Sequence, residues 1–250
     1  MANNPFRGLG YVFKGFSLIT RPGLRRFVLV PLLINVLLFG IGIWYGSEYF
    51  GVYMDKLLPD WLDWLNWLLV PLVGFALLVV AFFTFTMVAN LISAPFNSLL
   101  AERVEVYLTG KNPGEELDQS WKKVLKDIVP TIRSELKKLG YFLIWSIPML
   151  ILFLVPVVQV AAPFLWLAFS AWFLALEYGD FPMGNHAMLF PQQKNFHRGQ
   201  RLTSLGFGGG LMVMTSIPII NFLAVPVGVC GATAMWAGGK EHFETRKKSK

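Results

Sequence analysis

Residues 139–176 read LGYFLIWSIPMLILFLVPVVQVAAPFLWLAFSAWFLAL, and residues 202–239 read LTSLGFGGGLMVMTSIPIINFLAVPVGVCGATAMWAGG, with no charged side chain in either stretch. Two further uncharged runs span residues 64–101 and 27–47. Uncharged apolar runs of about 18 or more residues are typical of membrane-embedded helices. Three of the four runs are 38 residues long. That length is about twice what one straight crossing of a ~30 Å hydrocarbon core needs, and slightly too short for two crossings joined by a turn.

Prolines divide the three long runs into two kinds. Run 64–101 has its prolines near its ends, at Pro71 and Pro95, which predicts one long, tilted spanning helix. The other two runs carry interior prolines, and a proline removes a backbone donor and breaks a helix. We therefore predict that 139–176 and 202–239 are helical hairpins that enter the bilayer partway and turn back. The interior prolines are Pro148, Pro156 and Pro163 in the first hairpin and Pro218 and Pro226 in the second.

The two hairpin sequences also match each other at a constant offset of 70 residues. Ser146-Ile147-Pro148 recurs as Ser216-Ile217-Pro218, and Trp166 recurs as Trp236. This match predicts two copies of one hairpin in parallel orientation. Two unrelated proline-rich hairpins are the alternative interpretation.

The charge distribution predicts the orientation of these segments. The residues before 27 include five basic and no acidic side chains, whereas 48–63 has four acidic side chains and one basic. If the hairpins return to the side they left, 21 of the 22 basic residues are cytoplasmic, in line with the positive-inside rule. We therefore predict an all-α integral membrane protein with two long transmembrane helices, two hemi-penetrating helical hairpins, and interfacial and cytoplasmic amphipathic helices.

The predicted organisation is a single membrane domain over residues 1–250. It begins with an amphipathic helix at 5–20 that lies in the membrane interface, because Phe6, Leu9 and Phe13 recur at helical spacing. The other predicted segments are a transmembrane helix at 27–50, a transmembrane helix at 64–101, a cytoplasmic amphipathic segment at 102–138, membrane hairpins at 139–176 and 202–239, and a basic tail at 240–250.

Composition excludes several classes of function. The chain is 55% hydrophobic and carries a net charge of +7, which in so apolar a protein predicts orientation and contact with membrane lipids rather than nucleic-acid binding. The sequence has no metal-ligand cluster, no glycine-rich phosphate loop and no paired histidine and cysteine at functional spacing. We therefore expect neither an enzyme nor a cofactor or metal site.

The segment Pro22-Gly23-Leu24-Arg25-Arg26 is the best candidate for binding a small molecule. A helix start offers free N–H groups and a positive dipole, which suit an anion. Gly23 lets an oxyanion approach the backbone, and an arginine fork matches tetrahedral oxyanion geometry. Orientation charge at the membrane interface is the alternative interpretation.

Two polar stretches are candidates for a role in a pore or in proton coupling. One lies where the second long helix leaves the membrane, and the other follows the first hairpin. In the second stretch, His186 near Asp180 is a candidate proton relay. Charges that simply mark the interface, and a satisfied loop network, are the alternatives. The candidate residues are Asn97, Glu102, Arg103, Glu105, Asp180 and His186.

These same segments resemble the CysZ family of bacterial inner-membrane sulfate permeases, and the similarity covers nearly the whole chain. The matching segments are Pro22-Gly23-Leu24-Arg25-Arg26, Ala94-Pro95-Phe96-Asn97, Leu100-Ala101-Glu102-Arg103-Val104-Glu105, Glu177-Tyr178, Asp180-Phe181-Pro182-Met183, Asn185-His186 and Val229-Cys230-Gly231-Ala232-Thr233-Ala234-Met235-Trp236.

The resemblance implies a multi-pass homo-oligomer in the bacterial inner membrane that takes up sulfate with high affinity, depends on the proton gradient and supplies sulfur for cysteine biosynthesis. It implies a sulfate site at Gly23, Leu24 and Arg25, with Arg26 beside them. It also implies two long transmembrane helices and two half-inserted hairpins, and assemblies with protomers of opposite orientation, which the charge bias does not predict. A broader oxyanion channel and a non-transporting membrane scaffold or regulatory protein are the alternatives.

Overall fold

The computed structural model describes residues 3–57, 64–111 and 121–248. Over these ranges the chain is helical and contains no strand, so the predicted all-α fold is confirmed. The helices are α1 (Pro5–Ile19), α2 (Arg25–Leu57), α3 (Asn66–Thr109), α4 (Trp121–Leu152), α5 (Ala162–Gly184), α6 (Phe190–Arg198), α7 (Arg201–Thr215) and α8 (Pro218–Lys248), with a short 3-10 helix at Val158–Val160 before α5.

The chain forms two compact units, one of residues 26–96 and one of residues 1–25 with 97–250. The unit of residues 26–96 contains most of α2 and the first part of α3. Its two helices meet where the rings of Phe39 and Phe85 lie 6.0 Å apart. Gly42 faces the Phe85 ring so closely that a Cβ there would collide with it. Many large apolar side chains of this unit are exposed, as they are on helices that face lipid.

The core of the other unit is a bundle of α1, α5, α7 and α8. Glycines let the backbones of this bundle approach closely, as small residues do between membrane helices. A Cβ on Gly8 of α1 would collide with the Thr203 carbonyl of α7, and one on Gly208 of α7 would collide with the Ala171 carbonyl of α5. These helices therefore pack backbone against backbone.

Helix α1 covers most of the predicted segment 5–20, and it packs inside its unit through a face other than the one with Phe6 and Phe13. Phe6 and Phe13, which define the predicted apolar face, are 76% and 71% exposed. The buried face contains Gly8, Val12 and Gly15, which lie against α7 and α8. The glycines of α1 are its contact surface because a larger residue would not fit there.

Helices α4 and α5 form an antiparallel pair around the predicted first hairpin. Trp172 Nε1 donates to Tyr141 Oη at 3.2 Å, and nearer the turn the rings of Phe153 and Trp166 lie 6.5 Å apart. The turn contains Val157, whose φ of 69° is rare for a β-branched residue.

Helices α7 and α8 form the second helical pair, separated only by Ser216 and Ile217. Gly231 of α8 lies against the Phe207 ring of α7. Both predicted hairpin regions therefore contain two helices joined by a short connection.

The predicted repeat at an offset of 70 residues is wrong, because matching prolines lie at different places in the two pairs. Pro148 lies inside α4, whereas Pro218 begins α8. Pro156 lies in the connection between α4 and α5, whereas Pro226 lies inside α8. A proline in the first turn of a helix loses no hydrogen bond, so Pro218 starts a helix without breaking one.

Several helices run across the predicted segment boundaries. Helix α3 continues past residue 101 to Thr109, α4 joins the end of the predicted cytoplasmic segment to the first hairpin arm, and α8 continues into the basic tail. Within the described ranges, three helices are long and apolar enough to cross a membrane. The segments are Arg25–Gly46, Trp67–Phe85 and Ile220–Lys240.

Candidate functional site

The turn after α1 places Gly23, Leu24 and Arg25 at the start of α2. The backbone N–H groups of Leu24 and Arg25 both donate to the Arg21 carbonyl, at 3.1 and 3.3 Å. Gly23 has a φ of 87°, in the left-handed region that favours glycine. Leu24 is 4% exposed and anchors the turn. The turn therefore uses for itself two N–H groups that the sequence predicted to be free for an anion.

Gly23 faces open space and is flanked in the chain by basic residues. A Cβ built on Gly23 would meet no atom within 4 Å, so a ligand can approach the backbone here. Arg21 and Arg25 are exposed, and neither has an ion-pair partner among the described residues. Arg26 belongs to the other unit, where its guanidinium lies 5.0 Å from the centre of the Phe27 ring. An open backbone position flanked in the chain by two exposed arginines matches the needs of an oxyanion.

A buried ion pair lies deeper in the unit of residues 1–25 and 97–250. Glu105, near the end of α3, is 3% exposed. His186 Nε2 lies 2.8 and 2.9 Å from its two carboxylate oxygens. Toward an ionised carboxylate, which only accepts hydrogen bonds, the imidazole Nε2 is the donor. Lys240 Nζ lies 3.8 Å from the same carboxylate. One buried carboxylate therefore faces an imidazole and an ammonium group.

Neighbouring side chains fix the position of this pair. The amide of Asn185 donates to the Ser98 carbonyl at 2.9 Å, which ties the end of α5 to α3. The His186 ring lies 5.4 Å from the ring of Trp236 in α8. Trp236 is buried, and its Nε1 has no hydrogen-bond partner among the described residues. The pair is thus enclosed by α3, α8 and the end of α5.

A second polar network joins α4, α5 and α6 through Lys138. Its ammonium lies 2.6 Å from Asp180, 3.0 Å from Glu135 and 3.7 Å from Glu177. Burial acts to lower the pKa of Lys138, but the carboxylates of Asp180 and Glu177 outweigh burial and raise this pKa above its usual range. Gln193 donates to the other oxygen of Asp180 at 2.5 Å. This network fixes the junction between α4 and the ends of α5 and α6.

The structure brings together two of the six candidates for a pore or proton-coupling role. Glu105 and His186 are in contact, whereas Asp180 binds Lys138 and Gln193 instead of His186. The other three candidates are Asn97 and Glu102, which are half-buried, and Arg103, which is exposed. None of these three takes part in an ion pair within the described part of the chain.

Sequence reasoning missed Lys240 and Lys138 as members of these clusters. Lys240 directly follows the uncharged run 202–239, and Lys138 directly precedes the run 139–176. The available signal was a charged residue directly next to an uncharged run. Such a residue lies at the end of an apolar segment, where other parts of the protein can bury it.

Within the described ranges, no group of three histidine, cysteine, aspartate or glutamate residues is arranged to hold a metal ion.

Comparison with known protein families gives the chain its place. A family model described as sulfate transporter CysZ/etoposide-induced protein 2.4 matches residues 11–226. The chain belongs to this family. Membership confirms the resemblance to CysZ and, with the three apolar helices, points to a membrane protein related to sulfate transporters. The CysZ/etoposide-induced protein 2.4 family is not an enzyme family, and it also includes members that are not transporters.

Proposed function

We propose that this protein is a high-affinity sulfate permease of a bacterial inner membrane, with its sulfate site at Gly23, Leu24 and Arg25. The observation that supports the site most is the open turn at Gly23, with the exposed residues Arg21 and Arg25 two positions away in the chain on either side. The family match supports sulfate as the ligand. The imported sulfate supplies sulfur for cysteine biosynthesis.

Binding at this turn replaces part of the hydration of the sulfate dianion. The guanidinium groups of Arg21 and Arg25 each present several donors in a fixed plane, and each neutralises one charge of the ligand. Gly23 contributes by leaving the backbone uncovered. The N–H groups of Leu24 and Arg25 already serve the turn, so the arginine side chains supply most of the affinity.

We also propose that uptake depends on the proton gradient through Glu105 and His186. A buried carboxylate that contacts an imidazole can exchange a proton with it without separating two full charges in an apolar surrounding. Lys240 at 3.8 Å keeps the region positive overall when Glu105 is ionised and His186 is protonated. Asp180 is a weaker candidate for this role because Lys138 and Gln193 occupy it.

The length of α7 supports a second hairpin that stops short of the far side, although its other arm, α8, contains a segment long enough to cross. Helix α7 has 15 residues, so it spans about 22 Å, less than the ~30 Å of a hydrocarbon core. At the first turn, Leu154 and Val157 are 80% and 87% exposed. A turn inside the bilayer has backbone groups outside regular helix, and these need a protein partner or a water-filled cavity. We therefore propose a homo-oligomer in which these turns are covered by other copies.

Sulfate binding by the purified full chain tests the site. We expect Arg25→Ala to weaken the affinity for radiolabelled sulfate about tenfold to a hundredfold, because it removes charge-assisted hydrogen bonds. Lys14→Ala is the matched control, since Lys14 is exposed on α1 and its loss changes the net charge equally. Equal effects of the two substitutions would remove Arg25 from the site.

Gly23 and Gly110, which both have a positive φ, allow a second comparison of variants. Gly23→Ala and Gly110→Ala both force an alanine into the left-handed region, with open space around the Cβ. Both should cost about 1–2 kcal/mol of stability, but we expect only Gly23→Ala to weaken sulfate binding. Selenate, molybdate and phosphate as competitors test selectivity. If these anions compete with radiolabelled sulfate as strongly as unlabelled sulfate does, the result supports the broader oxyanion channel. If the wild-type protein binds no sulfate at all, the result supports the scaffold.

A further inference from the structure

Helix α4 carries a stripe of basic and aromatic residues that the proposed sulfate site does not use. Arg133, Lys137, Tyr141 and Trp145 follow one another at four-residue intervals and therefore lie along one side of the helix. The two basic residues are exposed, and Trp145 is 47% exposed. The stripe leads from the charged half of α4 into the uncharged hairpin arm.

A groove lies beside the charged end of this stripe, between α4 and the start of α6. Its volume is about 230 Å³, and its lining includes Val129, Arg133, Lys137, Leu189 and Pro191. The lining thus combines apolar side chains with two basic ones. The volume is smaller than that of pockets which enclose drug-sized ligands, so the groove suits part of a ligand whose remainder lies outside.

Lys194 of α6 adds a third positive charge close to the stripe. Its ammonium lies 4.9 Å from the centre of the Tyr141 ring. Tyr141 is one turn from Lys137, and its hydroxyl accepts a hydrogen bond from Trp172. The one acidic residue between Arg133 and Lys137 is Glu135, which is paired with Lys138. Lys138 also pairs with Glu177 and Asp180, so four basic side chains face three carboxylates and the local net charge is +1.

The continuity of α4 sets the depth of the stripe in the bilayer. The uncharged arm begins at residue 139, so at 1.5 Å per residue Lys137 lies about 3 Å and Arg133 about 9 Å before that point along the helix axis. The headgroup region on each side of the hydrocarbon core is about 5–7 Å thick. Lys137 therefore lies within the headgroup region, and Arg133 lies just beyond its outer edge, from where its long side chain reaches the lipid phosphates. Tyr141 and Trp145 lie about 3 and 9 Å into the acyl-chain region.

We propose that Arg133 and Lys137 bind the headgroup of an anionic phospholipid, whose acyl chains follow Tyr141 and Trp145. The phosphate accepts from the guanidinium and the ammonium, and the apolar lining of the groove covers the glycerol. Tyr141 and Trp145 are amphipathic aromatics of the kind found at membrane interfaces. This site depends on the insertion of the hairpin arm in the bilayer but not on sulfate binding at Gly23.

Native mass spectrometry of the delipidated full chain tests this proposal. Phosphatidylglycerol and phosphatidylcholine with identical acyl chains are the two probes. We expect phosphatidylglycerol to bind at least tenfold more tightly than phosphatidylcholine, and Arg133→Ala with Lys137→Ala to weaken its binding roughly thirtyfold. Lys14→Ala with Arg201→Ala is the matched control, and Arg133→Lys with Lys137→Arg should retain binding.

Three results would overturn the lipid site. One is equal binding of the two phospholipids, another is an equal loss in the control pair, and the third is complete displacement of phosphatidylglycerol by inorganic phosphate, which indicates a small-oxyanion site. Sulfate binding, measured on the same variants, separates the two proposals. We expect Arg133→Ala with Lys137→Ala to lose lipid binding and to keep normal sulfate binding. The proposed sulfate site is contradicted only by the results for variants at Arg25.

Discussion

His186 Nε2 lies within 2.9 Å of both carboxylate oxygens of Glu105, and Glu105 is 3% exposed. The two residues are far apart in sequence and come from α3 and from the segment after α5. Their contact therefore joins parts of the fold that local structure does not hold together. It is also the one contact that the structure forms within the predicted proton-coupling set.

Removal of His186 should leave the Glu105 carboxylate buried without its donor. We expect His186→Ala to lower the free energy of unfolding by about 3 kcal/mol, at the low end for a broken buried pair because Lys240 remains nearby. Glu105→Gln combined with His186→Ala should cost less than the sum of the two single substitutions. Thermal unfolding in detergent measures all three, and strict additivity would show that the pair contributes no coupling.

The same variants test proton dependence through a different measurement. Sulfate uptake that responds to an imposed pH gradient in the wild type should lose that response in Glu105→Gln, while sulfate binding at zero gradient persists. A Glu105→Gln protein whose uptake still followed the gradient would exclude Glu105 from proton coupling.

Two glycines of α1 should respond in opposite ways to alanine. Gly8→Ala places a Cβ against the Thr203 carbonyl, so the backbones must move apart, at a cost of about 1–3 kcal/mol. Gly10 has no atom within 4 Å of a built Cβ, so Gly10→Ala should stabilise the helix by up to about 1 kcal/mol. Melting temperatures of the two variants check this. Destabilisation by Gly10→Ala would show that α1 has a second contact face.

His197 should make the fold sensitive to acid. Burial lowers its pKa to about 3, and its Nδ1 pairs with Ser204 Oγ at 2.9 Å. The unfolded histidine has a pKa of about 6.5, so the unfolded chain takes up a proton first as the pH falls. Stability is therefore complete above pH ~6.5 and declines below it, by about 2 kcal/mol at pH ~5. His197→Asn should flatten this part of the stability profile; an unchanged profile would assign the acid sensitivity elsewhere.

Cysteine labelling tests the returning hairpins. The native Cys230 is buried, so labelling from solution should report introduced cysteines only. Lys111→Cys and Arg198→Cys are at exposed positions on either side of the first hairpin, and we expect an impermeant maleimide to label both from the same side of the membrane. Leu154→Cys at the turn should resist labelling from both sides. Labelling of Lys111→Cys and Arg198→Cys from opposite sides would mean that the hairpin crosses.

Much of the fold was readable from the sequence because charge and proline act locally. The uncharged runs located the apolar segments, and Pro156, Pro163 and Pro218 lie in or beside the turns. The register between the hairpins was not readable, because Pro148 and Pro226 lie inside helices although a proline is expected to break a helix. Likewise, the buried face of α1 depends on where the backbones of α7 and α8 approach Gly8 and Gly15, which no periodicity of large side chains reports.

The site was readable only in part, for a similar reason. Glycine beside arginines identified the turn at Gly23, since both residue types have local chemistry. The partner of His186 was not readable, because Asp180 is near it in sequence and Glu105 is near it in space. Lys138 takes Asp180 out of that role, and only tertiary packing brings the two together.

Sulfate flux into sealed vesicles tests the central claim most directly. Purified protein is reconstituted into proteoliposomes, and entry of radiolabelled sulfate is followed for the wild type, Arg25→Ala and the control Lys14→Ala. We predict saturable uptake by the wild type and the control, and at least a tenfold loss of uptake at low sulfate concentration for Arg25→Ala. Uptake by Arg25→Ala equal to that of the wild type, or no uptake by properly folded wild-type protein, would contradict the proposed sulfate permease.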